Sequence, residues 1–158
     1  MKKINIVILA ALFVVSAPVL SKGSPWYFAI KGGFMDAGVG IADNAINGGF
    51  DIGYQNNRYL ATEVELTRTL IDGETRAGND WEADTFSVFA AFRSPTKVKF
   101  KGKVGFSHID TGGNDDIEFS LGIGVAFWAL GGLTEIEYTE LSSDNDLDFL
   151  SIGVNYYF

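Results

Sequence analysis

The feature that most constrains this chain is an alternation of apolar and polar residues that recurs in stretch after stretch from Trp26 to the last residue, Phe158. In Asp116–Trp128 one parity carries Ile117, Phe119, Leu121, Ile123, Val125 and Phe127, and the other Glu118, Ser120, Gly122, Gly124 and Ala126. In Lys97–Ile109, Val98, Phe100, Val104 and Phe106 alternate with Lys97, Lys99, Lys101 and Lys103. A period of two places successive side chains on opposite faces of an extended strand, and segments rich in Gly, Asn, Asp, Ser and Pro punctuate the runs as turns do. No helical period interrupts them, so the chain reads as all-β.

Eight strands are expected, at about Trp26–Met35, Ala45–Gln55, Arg58–Ile71, Trp81–Arg93, Lys97–Ile109, Asp116–Trp128, Gly132–Leu141 and Leu147–Phe158. The connections Gln55–Arg58, Arg93–Lys97 and Ala129–Gly132 are short; the other four are mostly longer and dense in acid, Gly and Asn. Short turns at one end, longer polar loops at the other and an even strand count describe an eight-stranded antiparallel up-and-down transmembrane β-barrel. A soluble periplasmic ligand-binding barrel stays open as an alternative, because it too alternates, with its large apolar set inward. Three features favour lipid on the apolar side. Several strands reach the 9 to 11 residues that cross a bilayer at a tilt. Aromatics gather at strand ends, with Trp26, Phe28, Tyr54, Tyr59, Phe92, Phe127, Trp128, Tyr156 and Phe158 at the short-turn end and Phe34, Trp81 and Phe106 towards the other, as in interfacial girdles. The polar parity is rich in glycine (Gly49, Gly53, Gly105, Gly122, Gly124, Gly153), leaving room for long polar side chains in a narrow lumen.

The opening MKKINIVILAALFVVSAPVLSKG sets Lys2 and Lys3 before a short apolar run and small residues, the order of a secretory signal peptide. Its apolar run is shorter than the roughly 20 residues a membrane-spanning helix needs. Residues 1–23 are therefore expected to be removed, after Ser21 or Gly23, leaving a single domain at 24–158.

With this signal, these alternating strands, these acidic loops and this terminal aromatic, the chain resembles the small outer-membrane β-barrel proteins of Gram-negative bacteria, the OmpA-like transmembrane domain and OmpX group. The resemblance spans the chain from about Ser24 to Phe158. Its most specific element is the ending, where Leu150, Ile152, Val154, Tyr156 and Phe158 share one face and match the C-terminal signal that the family's barrel-assembly machinery reads. The resemblance implies residence in the outer membrane, in contact with its lipid and lipopolysaccharide. No further domain is expected after the barrel, so the resemblance does not imply the peptidoglycan anchoring of the OmpA type.

Charge narrows the function further. The 12 Lys and Arg against 20 Asp and Glu give −8, which becomes −10 once Lys2 and Lys3 leave with a signal cut after Ser21, or −11 if Lys22 leaves as well with a cut after Gly23. An exported acidic chain is a poor nucleic-acid binder, because that binding rests on basic patches that neutralise phosphate. Cysteine is absent, excluding disulfides, thiolate metal sites and a cysteine nucleophile.

An eight-stranded barrel has an interior just wide enough to be filled by side chains, so a general diffusion pore is not expected. The polar parity carries Lys31, Lys101 and Lys103 against Asp51, Glu63, Glu65, Glu118, Glu135 and Glu137. Charges held away from water must pair, so these residues are expected to form a lumenal network that fills and rigidifies the barrel. A narrow proton or ion path, or paired carboxylates in acid-base work, is the sharper alternative. The excess of acids over bases points to lumenal water or to carboxylates that keep a proton.

His108, the single histidine, stands in Ser107-His108-Ile109-Asp110, the segment best suited to an enzyme. Outer-membrane barrels that modify lipid A use a His with a nearby Ser and acid near the outer rim. Adjacent strand residues point to opposite faces, so Ser107 and His108 cannot easily form the hydrogen-bonded pair a nucleophile needs. The expectation is a non-enzymatic barrel without catalytic residues, cofactor or dedicated metal site; a lipid A-modifying enzyme centred on His108 is the alternative. Asp144, Asp146 and Asp148 recur like ligands of a calcium loop but lack its central Gly and distal Glu. Loose bridging of the acidic loops to lipopolysaccharide phosphates by Mg2+ or Ca2+, or to an unknown surface ligand, stays open.

Overall fold

The computed structural model describes residues 25–38, 40–112, 115–142 and 147–157, so the N-terminal segment and Phe158 lie outside the described residues. Eight long strands close into one barrel: β1 (Trp26–Asp36), β2 (Ala45–Gln55), β3 (Leu60–Ile71), β4 (Asp84–Arg93), β5 (Lys99–Asp110), β6 (Asp115–Ala129), β7 (Gly132–Ser142) and β8 (Leu147–Tyr157). Each strand pairs antiparallel with its sequence neighbours, and β8 returns to β1 with Tyr27 opposite Tyr157 and Asp36 opposite Asp148. The closed antiparallel barrel read from the alternation is the observed fold. Closure leaves no strand edge unpaired, the condition for β-structure in lipid.

The register sets the barrel's width. From Trp26 the partners run through Tyr54, Thr62, Ala90, Val104, Leu121, Glu140 and Asp148 and arrive at Asp36. The path climbs about ten residues in one circuit, so the strands tilt steeply and enclose a narrow lumen.

At one end the turns are tight. Leu130 and Gly131, with φ of 55° and 79°, form the two-residue turn between β6 and β7 in the left-handed conformation that matches strand twist. Between β2 and β3, the Asn57 side chain accepts hydrogen bonds from the Tyr59 and Leu60 amides at 2.9 and 3.0 Å.

At the other end the structure departs from the expectation of irregular polar loops. Ile41–Asp43, Gly73–Thr75 and Asp80–Trp81 pair into a small sheet of their own above the rim. Trp81, expected to open the fourth barrel strand, belongs to this sheet, and β4 starts at Asp84. The Trp81 indole donates to the Asp43 carbonyl at 3.2 Å and covers Gly73, where a Cβ would come within 2.2 Å of Nε1. A large ring with one donor is better placed against two loops than in water, and this overrides the strand pattern.

Which parity faces out distinguishes the membrane barrel from the soluble calyx. Ile117, Ile123 and Phe106, at 73 %, 68 % and 62 % exposure, stand on the outer wall with Phe119, Leu121, Leu150 and Ile152, whereas Lys101, Glu63, Glu65 and Glu137 are buried inside. Apolar surface on this scale fits a hydrocarbon solvent rather than water. Aromatic pairs mark its short-turn border, with Trp26 edge-on to Tyr54 and Phe28 stacked on Tyr156.

Candidate functional site

The inward residues build a charged layer between two less polar ones. Towards the short turns, Tyr27, Ala61 and Ala91 pack together with Tyr157 against them. Gly53 makes room for Tyr27, since a Cβ there would lie 2.0 Å from its ring. Towards the loops, Met35, Ala45, Ala83, Ile109, Leu141, Leu147 and Phe149 form an apolar plug. Ala83 is drawn into this mouth by its own backbone: its carbonyl accepts from Asn47 at 2.8 Å and its amide donates to Thr69 at 2.9 Å.

Between these layers the side chains of six strands meet. Lys101 on β5 reaches Glu63 and Glu135 at 2.8 Å and Glu137 at 2.6 Å. Lys103 lies 2.7 Å from Glu65 and 2.6 Å from Glu137. Lys31 on β1 contacts Glu65 at 2.6 Å, Asp51 at 3.3 Å and Glu137 at 3.4 Å. Arg93 on β4 contacts Glu63 at 2.9 Å and Glu135 at 3.2 Å, its guanidinium over the Tyr27 ring, and the Tyr27 hydroxyl donates to Glu63 at 2.6 Å. Strand β6 supplies space instead of charge: a Cβ at Gly122 would lie 2.6 Å from the Lys103 Cε.

Eight of the nine charged residues assigned to the lumen are thereby brought together, and Glu118 is not. It is half-buried, opposite Ser107 on β5, and joins none of the ion pairs among the described residues. In its place near the loops stands a neutral row, with Ser87 and Ser107 hydroxyls 2.7 Å apart and Ser120 2.8 Å from Ser107. Arg93 is the member that the pattern missed, because it ends its strand beside a turn and looked like a boundary residue. Its signal was present: Ala91 and Phe89 precede it on the inward parity. With Arg93 in and Glu118 out, five carboxylates face four cations, a smaller acid excess than the sequence suggested.

The space left is small. A cavity of about 10 Å³ beside Lys31, Asp51 and Glu137 has room for about one water. No group of three or more His, Asp or Glu among the described residues has the spacing of a metal site. His108 is exposed on the outer wall between Phe86 and Ile117 in the register, while Ser107 is fully buried in the lumen. Leu150, Ile152, Val154 and Tyr156 share the outer face of β8, opposite Phe34, Gly32, Ile30 and Phe28; Phe158 and the acids at 144 and 146 lie outside the described residues.

Known proteins share this architecture. Neisserial surface protein A aligns with 87 % of this chain and all of its own at 18 % identity and a TM-score of 0.53. Ail of Yersinia pestis, in a phospholipid bilayer nanodisc, aligns at 17 % identity over 84 % of this chain and 99 % of its own, with a TM-score of 0.53; Ail has also been solved with the heparin analogue sucrose octasulfate. The outer membrane enzyme PagL aligns at 11 % identity over 84 % and 99 %, with a TM-score of 0.50. At these identities the likeness is one of fold. No match is found among curated protein sequences. The family model for the outer membrane protein beta-barrel domain matches residues 7–158, nearly the whole sequence, and its lipid-facing wall and closed sheet agree: the chain is a member of that outer-membrane family.

Proposed function

We propose that this protein is a non-enzymatic outer-membrane barrel that serves envelope integrity or surface interaction, with its lumen acting as a polar core. The observation that carries this reading is the filled lumen, in which nine paired charges lie between an aromatic layer and an apolar plug. Such an interior rigidifies a scaffold and offers no route for a solute, which leaves interaction to the rim and outer wall. The placement of Ser107 and His108 on opposite faces supports the absence of a nucleophile-base pair. The resemblance to PagL extends to the fold, which hosts both enzymes and binders.

On this reading the partners are outer-membrane lipid and lipopolysaccharide, with the barrel-assembly machinery engaging Leu150, Ile152, Val154, Tyr156 and Phe158 during insertion. The rim presents Asp36, Asp43, Glu74, Asp110, Asp115 and Asp116. An acidic rim repels a polyanion, so the heparin-type binding of Ail is not carried over; a surface ligand is basic or reached through divalent cations. The test replaces His108 with Ala and profiles lipid A acylation in cells, alongside deletion of the gene and measurement of envelope permeability and adhesion. Unchanged lipid A with altered permeability or adhesion is expected. A lipid A change that follows His108 would overturn the non-enzymatic reading.

A further inference from the structure

The charged layer of the lumen is unbalanced, and the imbalance is local. Lys31, Arg93, Lys101 and Lys103 face Asp51, Glu63, Glu65, Glu135 and Glu137, one acid more than the cations can match. None of the nine residues is more than 7 % exposed. An uncompensated charge in such a place is neutralised rather than tolerated.

The contacts show where the excess lies. Arg93, Lys101 and Lys103 direct all their ion pairs to the four glutamates, so that Glu63, Glu135 and Glu137 each meet at least two cations. Asp51 has only Lys31, at 3.3 Å, and Lys31 sits closer to Glu65, at 2.6 Å. The Asp51 Oδ1 accepts no hydrogen bond. The charged groups packed against Asp51 are Lys31 on β1, Glu65 on β3, and Glu135 and Glu137 on β7, which line the same small cavity. Strand β8 adds only the neutral Ser151 and Asn155 to that lining.

Glu65 supplies the other half of the site. It is directly opposite Asp51 in the register, and side chains so placed on one face have Cβ atoms about 4.5–5.5 Å apart. Both cationic contacts of Glu65 fall on Oε2; its Oε1 is buried and joins no hydrogen bond or ion pair among the described residues. Two facing carboxylates, each with an oxygen to spare, repel when both are ionised and bind each other when one carries a proton.

A proton suits the place better than a metal ion. The cavity beside Asp51, of about 10 Å³, has room for about one water. Mg2+ keeps several waters, and Ca2+ takes about six to eight oxygens. The Lys31 ammonium lines the same space and repels a further cation.

We infer that the closed barrel binds one proton between Asp51 and Glu65, as a carboxyl–carboxylate hydrogen bond that uses both spare oxygens and brings the layer to neutrality. The proton comes from water as the lumen closes and returns to water when the barrel opens. The folded barrel therefore holds one proton more than the unfolded chain above the ordinary carboxylate range, and its stability falls as pH rises. The site goes beyond the scaffold reading, since it gives the filled lumen a response to pH whether or not the outer wall does chemistry.

The test records infrared spectra of the full barrel at pH 6 in a detergent without ester groups. Wild type is expected to show a carboxylic-acid C=O band that Asp51→Asn and Glu65→Gln each abolish and Glu118→Gln, outside the network, leaves in place. Loss in Glu65→Gln follows because four acids then face four cations and Lys31 is free to turn to Asp51. Urea unfolding from lipid vesicles is then followed from pH 5 to pH 8, with heat-dependent gel migration verifying that each variant is folded. The ratio of the wild-type folding constant to that of Asp51→Asn falls by up to about tenfold per pH unit, since Asn has no proton to release. Exchange of sodium for choline at fixed ionic strength leaves wild type unchanged. A band that is missing, that survives either lumenal substitution or that depends on Glu118 overturns the site. So does a ratio that is independent of pH, or a stability that follows sodium, which would place a metal ion where the proton is assigned.

Discussion

Lys101→Met is the most searching perturbation of the lumen. The Lys101 ammonium is fully buried and touches three carboxylates, on Glu63, Glu135 and Glu137, all within 2.8 Å. Methionine keeps the length of the side chain and removes the charge, so the five acids would face three cations. Breaking one buried pair by deleting a single partner costs about 3–5 kcal/mol, and here three acids lose a shared partner, which places the variant at the upper end, at about 5 kcal/mol. Asp51→Asn acts in the opposite sense. Asp51 has one ion pair, to Lys31 at 3.3 Å, and its loss leaves four acids against four cations. Its expected cost is within about 1 kcal/mol.

The assay is equilibrium unfolding in urea from lipid vesicles, followed by tryptophan fluorescence and by the gel shift of unboiled samples. Because the two substitutions have equal nominal charge changes and opposite signs, a general sensitivity of the lumen to mutation would shift both midpoints alike. The double variant Lys101→Met with Glu137→Gln should recover part of the loss, since it removes one of the stranded carboxylates. A Lys101→Met barrel within about 1 kcal/mol of wild type would refute the claim that the network acts as a packed core, and would mean that water reaches the layer freely.

Leu130→Asn should stabilise the barrel by about 1 kcal/mol, read as a higher urea midpoint, because a branched side chain at a φ of 55° is strained and Asn-Gly is the preferred pair for this turn. Deleting Phe158 is expected to reduce the fraction of chain inserted in cells, measured by surface labelling, while the same deletion leaves folding into detergent micelles nearly unchanged. Normal insertion of the truncated chain would remove the assembly role proposed for the face from Leu150 to Phe158.

The outer wall was legible in the sequence because lipid selects for apolarity alone. Ile117, Phe119, Leu121 and Ile123 read as a face without knowledge of any neighbour. Inside, the acids and lysines were legible as a set, but their pairing depends on register across the closed barrel, which single strands do not encode. Glu118 has the parity of Glu135 and Glu137 yet lies too near the loops to meet a lysine. The apolar plug was harder still: Met35, Ile109, Leu141 and Phe149 sit on the polar parity and look like exceptions in their own strands. They make sense only once all four reach the same level of the lumen. The rim sheet was hidden for a related reason, since strands as short as Ile41–Asp43 carry too few residues to show a period.

The arrangement of the ion pairs explains why closure and core formation are one event. Lys31 on β1 pairs with Glu137 on β7, a strand that is not its neighbour in the sheet, and Arg93 on β4 pairs with Glu135 on β7, three strands away around the barrel. Such pairs bring no gain to an open sheet, where each charge keeps its water. They form when β8 docks on β1 and the lumen narrows, so desolvation and pairing arrive together. An open intermediate with its strands in register therefore lacks most of the interior stabilisation, and the last strand decides the stability of the first seven. That is the physical ground for expecting the face of β8 to be read during assembly: a barrel whose polar core exists only when closed benefits from having its closing strand held until the others are in place.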